Sequence, residues 1–209
     1  MRLPLSRIAG IAENAARRIK ADRRMQAAGK TVILDRDGVI NKDAPDHVRT
    51  PEQWLPIGGS LEAIAALHQA GWQVVVATNQ SGIARGLFDG EALAAIHRRM
   101  CREIERHGGR IDAIAFCPHG PWDDCDCRKP APGLVHALEG QLDRSLEGSP
   151  FVGDSRRDLD AAIAAGCRPI LVRTGNGRRT ERAPGLVPDA VHDDLRAFVA
   201  ALLGAEEQR

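Results

Sequence analysis

The sequence contains no tyrosine, and its four phenylalanines and three tryptophans make up only 3% of 209 residues. Platforms for stacking nucleobases are therefore scarce, which argues against nucleic acid as a ligand. An excess of charge is missing too: 29 Lys plus Arg stand against 28 Asp plus Glu, and a net +1 gives no global pull toward nucleic acid or an anionic membrane. No apolar run approaches the roughly 20 residues that span a bilayer. The opening residues MRLPLSRIAGIAENAARRIK lack the continuous apolar stretch of a secretory signal, so a cytoplasmic location is expected. The five cysteines are an odd number, and Cys117, Cys125 and Cys127 crowd together with His119. In a reducing compartment such a cluster points to metal rather than disulfides.

Hydrophobic residues make up 43% of the chain, enough to bury the core of about one domain. Charge is unevenly spread. Residues 1–30 hold eight basic and two acidic side chains, and the remainder holds 21 and 26. The first segment is read as a basic helical extension, with Leu5, Ile8, Ile11, Ala12, Ala15 and Ile19 at roughly helical spacing. Residues 31–205 are read as the main domain, and Met25 stands just before it as an alternative start.

From residue 31 onward, short apolar β-branched runs alternate with amphipathic stretches, the pattern of an α/β doubly wound parallel sheet. Strands are predicted at Thr31–Leu34, Gln73–Ala77, Ile111–Phe116, Phe151–Val152 and Pro169–Val172. Helices are predicted at about 59–70 with Ser60 as N-cap, 89–107, 132–143, 155–165 and 191–203. Four strands end in polar or glycine-rich tails: DRDG, TNQSG, CPHG and GDS. In an open parallel sheet such tails converge on one crevice outside the carboxyl ends of the strands.

Asp35 and Asp37 alternate along one strand end and should face that crevice together, one as nucleophile or metal ligand and the other positioned to move a proton. Thr78, Asn79, Gln80 and Ser81 offer a hydroxyl, side-chain amides and backbone N–H groups suited to phosphate oxygens. Arg128 and Lys129 add a fork and a point charge for phosphate. Asp154 can meet Asp35 across the sheet edge and complete a magnesium site, with Asp158 either an outer partner or a plain surface acid. Cys117, His119, Cys125 and Cys127 form a Cys₃His set suited to a structural tetrahedral zinc. Cys101 and Cys167 are read as packing residues.

Together, ILDRDGVIN, TNQSG, Lys129 and VGDSRRDLDAA resemble the haloacid dehalogenase superfamily of phosphotransferases over about residues 31–175. The resemblance implies a Rossmann-like sheet and an aspartyl-phosphate mechanism. By it, Asp35 attacks phosphorus, Asp37 protonates the leaving oxygen and then activates water, and Thr78 and Lys129 hold the transferring group. Mg²⁺ is then bound by Asp35, the Asp37 carbonyl and Asp154. Only about 40 residues separate Asp37 from Thr78, and these include a helix, so no large cap domain fits there.

CPH followed by CDCRKPAPG is similar to the zinc-loop branch, which holds heptose-bisphosphate and histidinol-phosphate phosphatases, and TNQSGIARG is similar to the heptose enzymes. That likeness implies a phosphosugar substrate, with Arg128 holding its second phosphate. It also implies a monomer working in the synthesis of nucleotide-activated heptose for surface polysaccharide. The five residues between His119 and Cys125 match the spacing typical of histidinol phosphatases, and Ser155 stands where some heptose enzymes carry Lys. The competing readings are a histidinol-phosphate phosphatase, a phosphatase of nucleic-acid 3′ ends and a non-catalytic zinc module.

Overall fold

The computed structural model describes residues 29–185 and 187–208. The basic extension expected over residues 1–30 falls almost wholly outside them.

Strands β1 (Thr31–Leu34), β2 (Gln73–Asn79), β3 (Ala113–Cys117), β4 (Pro150–Gly153), β5 (Arg168–Val172) and β6 (Ala190–His192) form one sheet in the order β3-β2-β1-β4-β5-β6. Every pairing is parallel. Parallel neighbours need crossovers, supplied by helices α1 (Ser60–Gln69), α2 (Gly90–Arg106), α3 (Gly133–Leu142) and α4 (Arg156–Ala164). The short α5 (Gly177–Glu181) and the terminal α6 (Leu195–Glu207) complete the order.

The apolar runs are continuous because both faces of the sheet are covered. Val32, Leu34, Val74, Val76 and Val152 point into the cluster formed with Leu61, Ile64 and Leu67 of α1, Ile96 and Met100 of α2 and Phe198 of α6. Their strand neighbours Ile33, Val75, Ala77 and Phe151 point the other way, onto Leu134, Val135 and Leu138 of α3 and Ala161 and Ala162 of α4. The period of two thus assigns each strand residue to one of two cores.

Three expectations are corrected. Ser60 is not the N-cap of α1: Gly59 caps it in the left-handed conformation, and the Ser60 hydroxyl donates to the Val39 carbonyl at 2.9 Å. Residues 191 and 192 belong to β6, not to the last helix. That helix starts at Leu195 because the Asp194 carboxylate accepts from the Ala197 N–H at 2.7 Å and caps it. β6 and α5 were not expected, being too short for a periodic signal.

The order reverses on either side of β1 and β4. Chains leaving those two strands diverge to opposite faces, and the gap between them is where a ligand enters a sheet of this kind.

Candidate active site

Asp35 follows β1 directly, and its N–H donates to the Val152 carbonyl of β4 at 2.9 Å, which fixes the strand end at the gap. Asp35 and Asp37 both line the cleft, whereas Arg36 between them points inward and is fully buried. A buried guanidinium must find partners. Arg36 donates to both carboxylate oxygens of Asp37, from Nη2 at 2.9 and 2.8 Å and from Nε at 3.2 Å, and its Nη1 meets His97 Nε2 at 3.3 Å.

Asp37 accepts further bonds from Asn41 Nδ2 and Gln80 Nε2, each at 2.9 Å. Asn41 is in turn fixed by the indole N–H of buried Trp54 at 3.0 Å. Burial pushes the Asp37 carboxyl up, but Arg36 and these amides outweigh it and hold it below the usual carboxylate range. His97, desolvated and facing Arg36, is pulled down to about 3.

Lys129 is buried between two carboxylates, its Nζ lying 2.9 Å from Asp35 Oδ1 and 2.5 Å from Asp158 Oδ1, and it also donates to the Ala77 carbonyl at 2.8 Å. Burial pulls the ammonium down, but Asp158 and Asp35 outweigh it and keep it charged. Asp158 is no surface acid. It sits in the first turn of α4 and forms a capping box with Ser155, accepting from the Ser155 N–H at 3.0 Å and hydroxyl at 2.6 Å.

Asp154 follows β4 directly and is oriented by Asn176, whose backbone N–H donates to Oδ2 at 2.7 Å. Gly38 and Gly175 make room for it: a Cβ at either would lie 2.1 Å from Asp154 Oδ2, and both have positive φ. Burial and the nearby Asp158 raise the Asp154 carboxyl to about 6, against the Asn176 bonds. Burial, Asp158, Asp154 and Asp37 likewise push Asp35 well up, against the pull of Lys129.

Four carboxylates thus share this pocket with two cations, Arg36 and Lys129, and carboxylate oxygens of Asp35, Asp154 and Asp158 lie within 4.8 Å of one another. The imbalance of two negative charges, with oxygen donors only, fits a hard divalent cation such as Mg²⁺.

A second cluster sits beyond β3. Sulfurs of Cys117, Cys125 and Cys127 lie 3.3, 3.7 and 3.9 Å apart, and His119 Nδ1 is 3.2 Å from Cys127 Sγ and 3.6 Å from Cys117 Sγ. These separations are too long for disulfides and match the edges of a tetrahedron with metal–sulfur bonds of about 2.3 Å. Burial and the neighbouring sulfurs push the Cys127 thiol up to about 12, a cost that a bound dication removes. The donor set fits zinc.

The cleft itself measures about 300 Å³. Of the residues that line it, Asp35, Thr78, Lys129, Asp154 and Asp158 are buried, Asp37 and Arg128 half-buried, and Arg85 and Arg157 exposed. His47, held by a left-handed backbone at φ 66°, reaches Ser81 Oγ at 3.3 Å from the loop after β1.

Residues 126–198 match the HAD-hydrolase-like family model. The chain is 54% identical over 176 residues to the D-glycero-β-D-manno-heptose-1,7-bisphosphate 7-phosphatase of Bordetella bronchiseptica, covering 83% of this chain and 98% of that one. Its counterpart in Pseudomonas aeruginosa is 51% identical, over 82% and 97%. The chain belongs to the heptose-bisphosphate phosphatase family. The crystal structure of the B. bronchiseptica enzyme with magnesium and phosphate superimposes with a TM-score of 0.82 at 53% identity, over 85% of this chain and 99% of that one. The capless α/β fold and the phosphomonoester hydrolase class are therefore those of this family. Among the described residues no helix is long and apolar enough to cross a membrane.

Within this family member, the residues singled out from sequence take two positions. Asp35, Asp37, Thr78, Ser81, Arg128, Lys129 and Asp154 line the cleft. Gln80 does not face it, because its Nε2 is occupied by Asp37 and the Thr78 hydroxyl, both at 2.9 Å. Asn79 is at the cleft, but its amide clasps the Lys129 backbone, donating to the carbonyl and accepting from the N–H at 3.1 Å each. In this structure both amides also position other residues, Asn79 the Lys129 backbone and Gln80 the Asp37 carboxylate. Sequence reasoning missed Arg36, His97, Asn41, His47, Arg85, Arg157 and Asn176. The tail after β5, TGNG, carried the same polar, glycine-rich signal as the other four and would have given Asn176.

Proposed function

We propose that the protein removes the 7-phosphate of D-glycero-β-D-manno-heptose 1,7-bisphosphate through an aspartyl phosphate on Asp35. The observation that supports this reading is the grading of the cleft lining: Lys129, Asp35, Asp154 and Asp158 are buried, whereas Arg128 is half-buried and Arg85 and Arg157 are exposed. One phosphate reacts among the buried groups while a second anion is held by the more exposed arginines. The family's named relatives supply the sugar and its anomer.

Both protein donors to the Asp35 carboxylate, the Arg36 N–H and Lys129 Nζ, meet Oδ1. Oδ2 is left for in-line attack on phosphorus. As the bond from phosphorus to the sugar oxygen breaks, Asp37 gives that oxygen a proton. The depressed Asp37 carboxyl gains this proton when a phosphate dianion enters beside it, since like charge raises a carboxylate pKa. Water then attacks the aspartyl phosphate, Asp37 takes its proton back, and the bond from phosphorus to Asp35 breaks to release inorganic phosphate. Lys129 and the Thr78 hydroxyl hold the equatorial oxygens, where transition-state charge is spread. Asp35, Asp154 and the Asp37 carbonyl would hold Mg²⁺, which when bound would screen the phosphate dianion from the attacking carboxylate. Ser81 and Arg128 contact substrate, and zinc at Cys117, His119, Cys125 and Cys127 fixes the loop from which Arg128 and Lys129 leave.

The same reading makes the protein a monomeric cytoplasmic enzyme that does not bind nucleic acid, built on one domain at 31–205. It acts in making nucleotide-activated heptose. The test is phosphate release with Mg²⁺ from the α and β anomers of heptose 1,7-bisphosphate and from histidinol phosphate. A kcat/KM preference for the β anomer of about a hundredfold, some 2.7 kcal/mol of transition-state discrimination, is expected. Preference for histidinol phosphate overturns the substrate.

A further inference from the structure

Two arginines that line the cleft are held in different ways. Half-buried Arg128 donates from Nη1 to the His119 carbonyl at 3.0 Å. Arg85 is exposed and makes no ion pair with an acid among the described residues; instead its guanidinium carbon lies 4.8 Å from the centroid of the Trp122 ring. Trp122 is 59% exposed, whereas Trp54 and Trp72 are buried at 0% and 2%. An indole left largely in water gains little from burial, so its place on the loop calls for a partner.

The ring lies close over the backbone at Gly120. A Cβ at Gly120 would lie 2.5 Å from Trp122 Cε2 and Cζ2, so the indole rests where only glycine leaves room. Asp123 closes that turn, its Oδ2 accepting from the Gly120 N–H at 2.8 Å. The turn lies between the two ligand pairs of the thiol and imidazole cluster, after His119 and before Cys125, and it presents the indole as a platform under Arg85.

Stacking and ion pairing hold a guanidinium through different parts. An acid would occupy its N–H edge, whereas an aromatic ring meets its face and leaves the five donors free. An arginine prepositioned in this way gives up its rotamer freedom before ligand arrives, and its edge stays open to an anion. Arg85 lines the same cleft as Lys129.

We propose that Trp122 is a positioning residue that orients Arg85 toward the non-reacting phosphate of the substrate and so sharpens selection of a bisphosphate. This rests on the heptose bisphosphate reading above. The contact lies away from the transferring group, so its loss falls on KM rather than kcat.

The measurement is the ratio of kcat/KM for heptose 1,7-bisphosphate to that for heptose 7-phosphate, in wild type, W122A, W122F, R85A and the W122A/R85A double variant. An exposed cation and aromatic pair predicts a fall of about fourfold in this ratio for W122A, retained selectivity in W122F, and a double variant no worse than R85A. An unchanged ratio in W122A, or losses that add in full in the double variant, overturns the proposal. Acrylamide quenching of the intact protein gives a readout without substrate, because Trp122 is the exposed indole: R85A is expected to raise the quenching slope, and an unchanged slope shows that Arg85 does not cover the ring. A wild-type ratio near one sinks the bisphosphate reading itself, and the quenching result still decides whether Trp122 holds Arg85.

Discussion

The carboxylate pocket and the thiol and imidazole cluster almost touch in sequence, at Lys129 and Cys127, yet they are assembled in opposite ways. Asp35, Asp154 and Asp158 come from β1, the end of β4 and the first turn of α4, so the sheet brings them together and buries them. The other four ligand-type residues lie within 117–127, on β3's last residue and a loop, and three of the four are only half-buried. Parallel strands fixed by two cores hold the acids in place, with Lys129 and Arg36 balancing part of their charge. The loop has less of that support: Cys117 belongs to the second core and Cys125 and Cys127 pack against it, and three thiols at 3.3 to 3.9 Å suit a shared ion. One cluster is made by the fold, and the other makes the local fold.

The sharpest break in that comparison comes from the acid side. Asp35→Asn keeps shape but loses the attacking oxygen and a charge, so turnover should fall by at least about a thousandfold while circular dichroism and zinc content hold. Substantial residual activity would remove the covalent mechanism. Lys129→Met should cost about a hundredfold or more in turnover, and the Asp158 carboxylate left buried without its partner should lower stability by about 3 kcal/mol. Urea unfolding and phosphate release measure the two losses separately.

The loop side should break differently. Cys125→Ser should lose zinc and lower Tm, and it should reduce turnover by about tenfold through displacement of Lys129 and Arg128, well short of the Asp35→Asn loss. The clasp of Asn79 on the Lys129 backbone limits that displacement. Zinc analysis beside a turnover assay checks this, and wild-type turnover in a zinc-free variant would show that the loop does not steer Lys129.

How far the sequence could be read follows the same division. The cysteine cluster was legible because its ligands are contiguous, and spacing alone describes a tetrahedron. The acids were legible because strand tails in a parallel sheet must meet, which placed Asp35 beside Asp154 from positions far apart. What stayed hidden depends on where a side chain turns. Arg36 carried no signal between two acids, yet alternation sends it inward, where it needs Asp37 and His97. Asn79 and Gln80 have the donors that suit phosphate, and only the packing around Lys129 and Asp37 shows those donors already bound. Asp158 stayed undecided between an outer partner and a surface acid because helix periodicity does not reveal that its turn lies over a buried lysine. Trp122 and Arg85 are 37 positions apart on two loops and meet only in three dimensions.

The smallest expected effect separates the two regions by pH. His97 donates no charge to the acid pocket, yet it lies behind Arg36 and is held down at about 3, chiefly by burial and then by the guanidinium. Since its folded value lies below the ordinary 6.5, the unfolded chain binds the proton more readily between those limits. The neutral ring's stability is fully present above about pH 6.5 and is lost as pH falls toward 3. From pH 7 to pH 5 this amounts to about 1–2 kcal/mol, or about 4 °C in Tm for a domain of this size. His97→Gln keeps an acceptor for Arg36 Nη1 without a titrating ring, so its Tm should fall less than that of wild type over the same interval. Cys125→Ser retains His97 and should keep this part of the acid loss. An equal fall in wild type and His97→Gln would mean that the ring takes up its proton in the folded state, and that Arg36 is braced by something other than a neutral histidine.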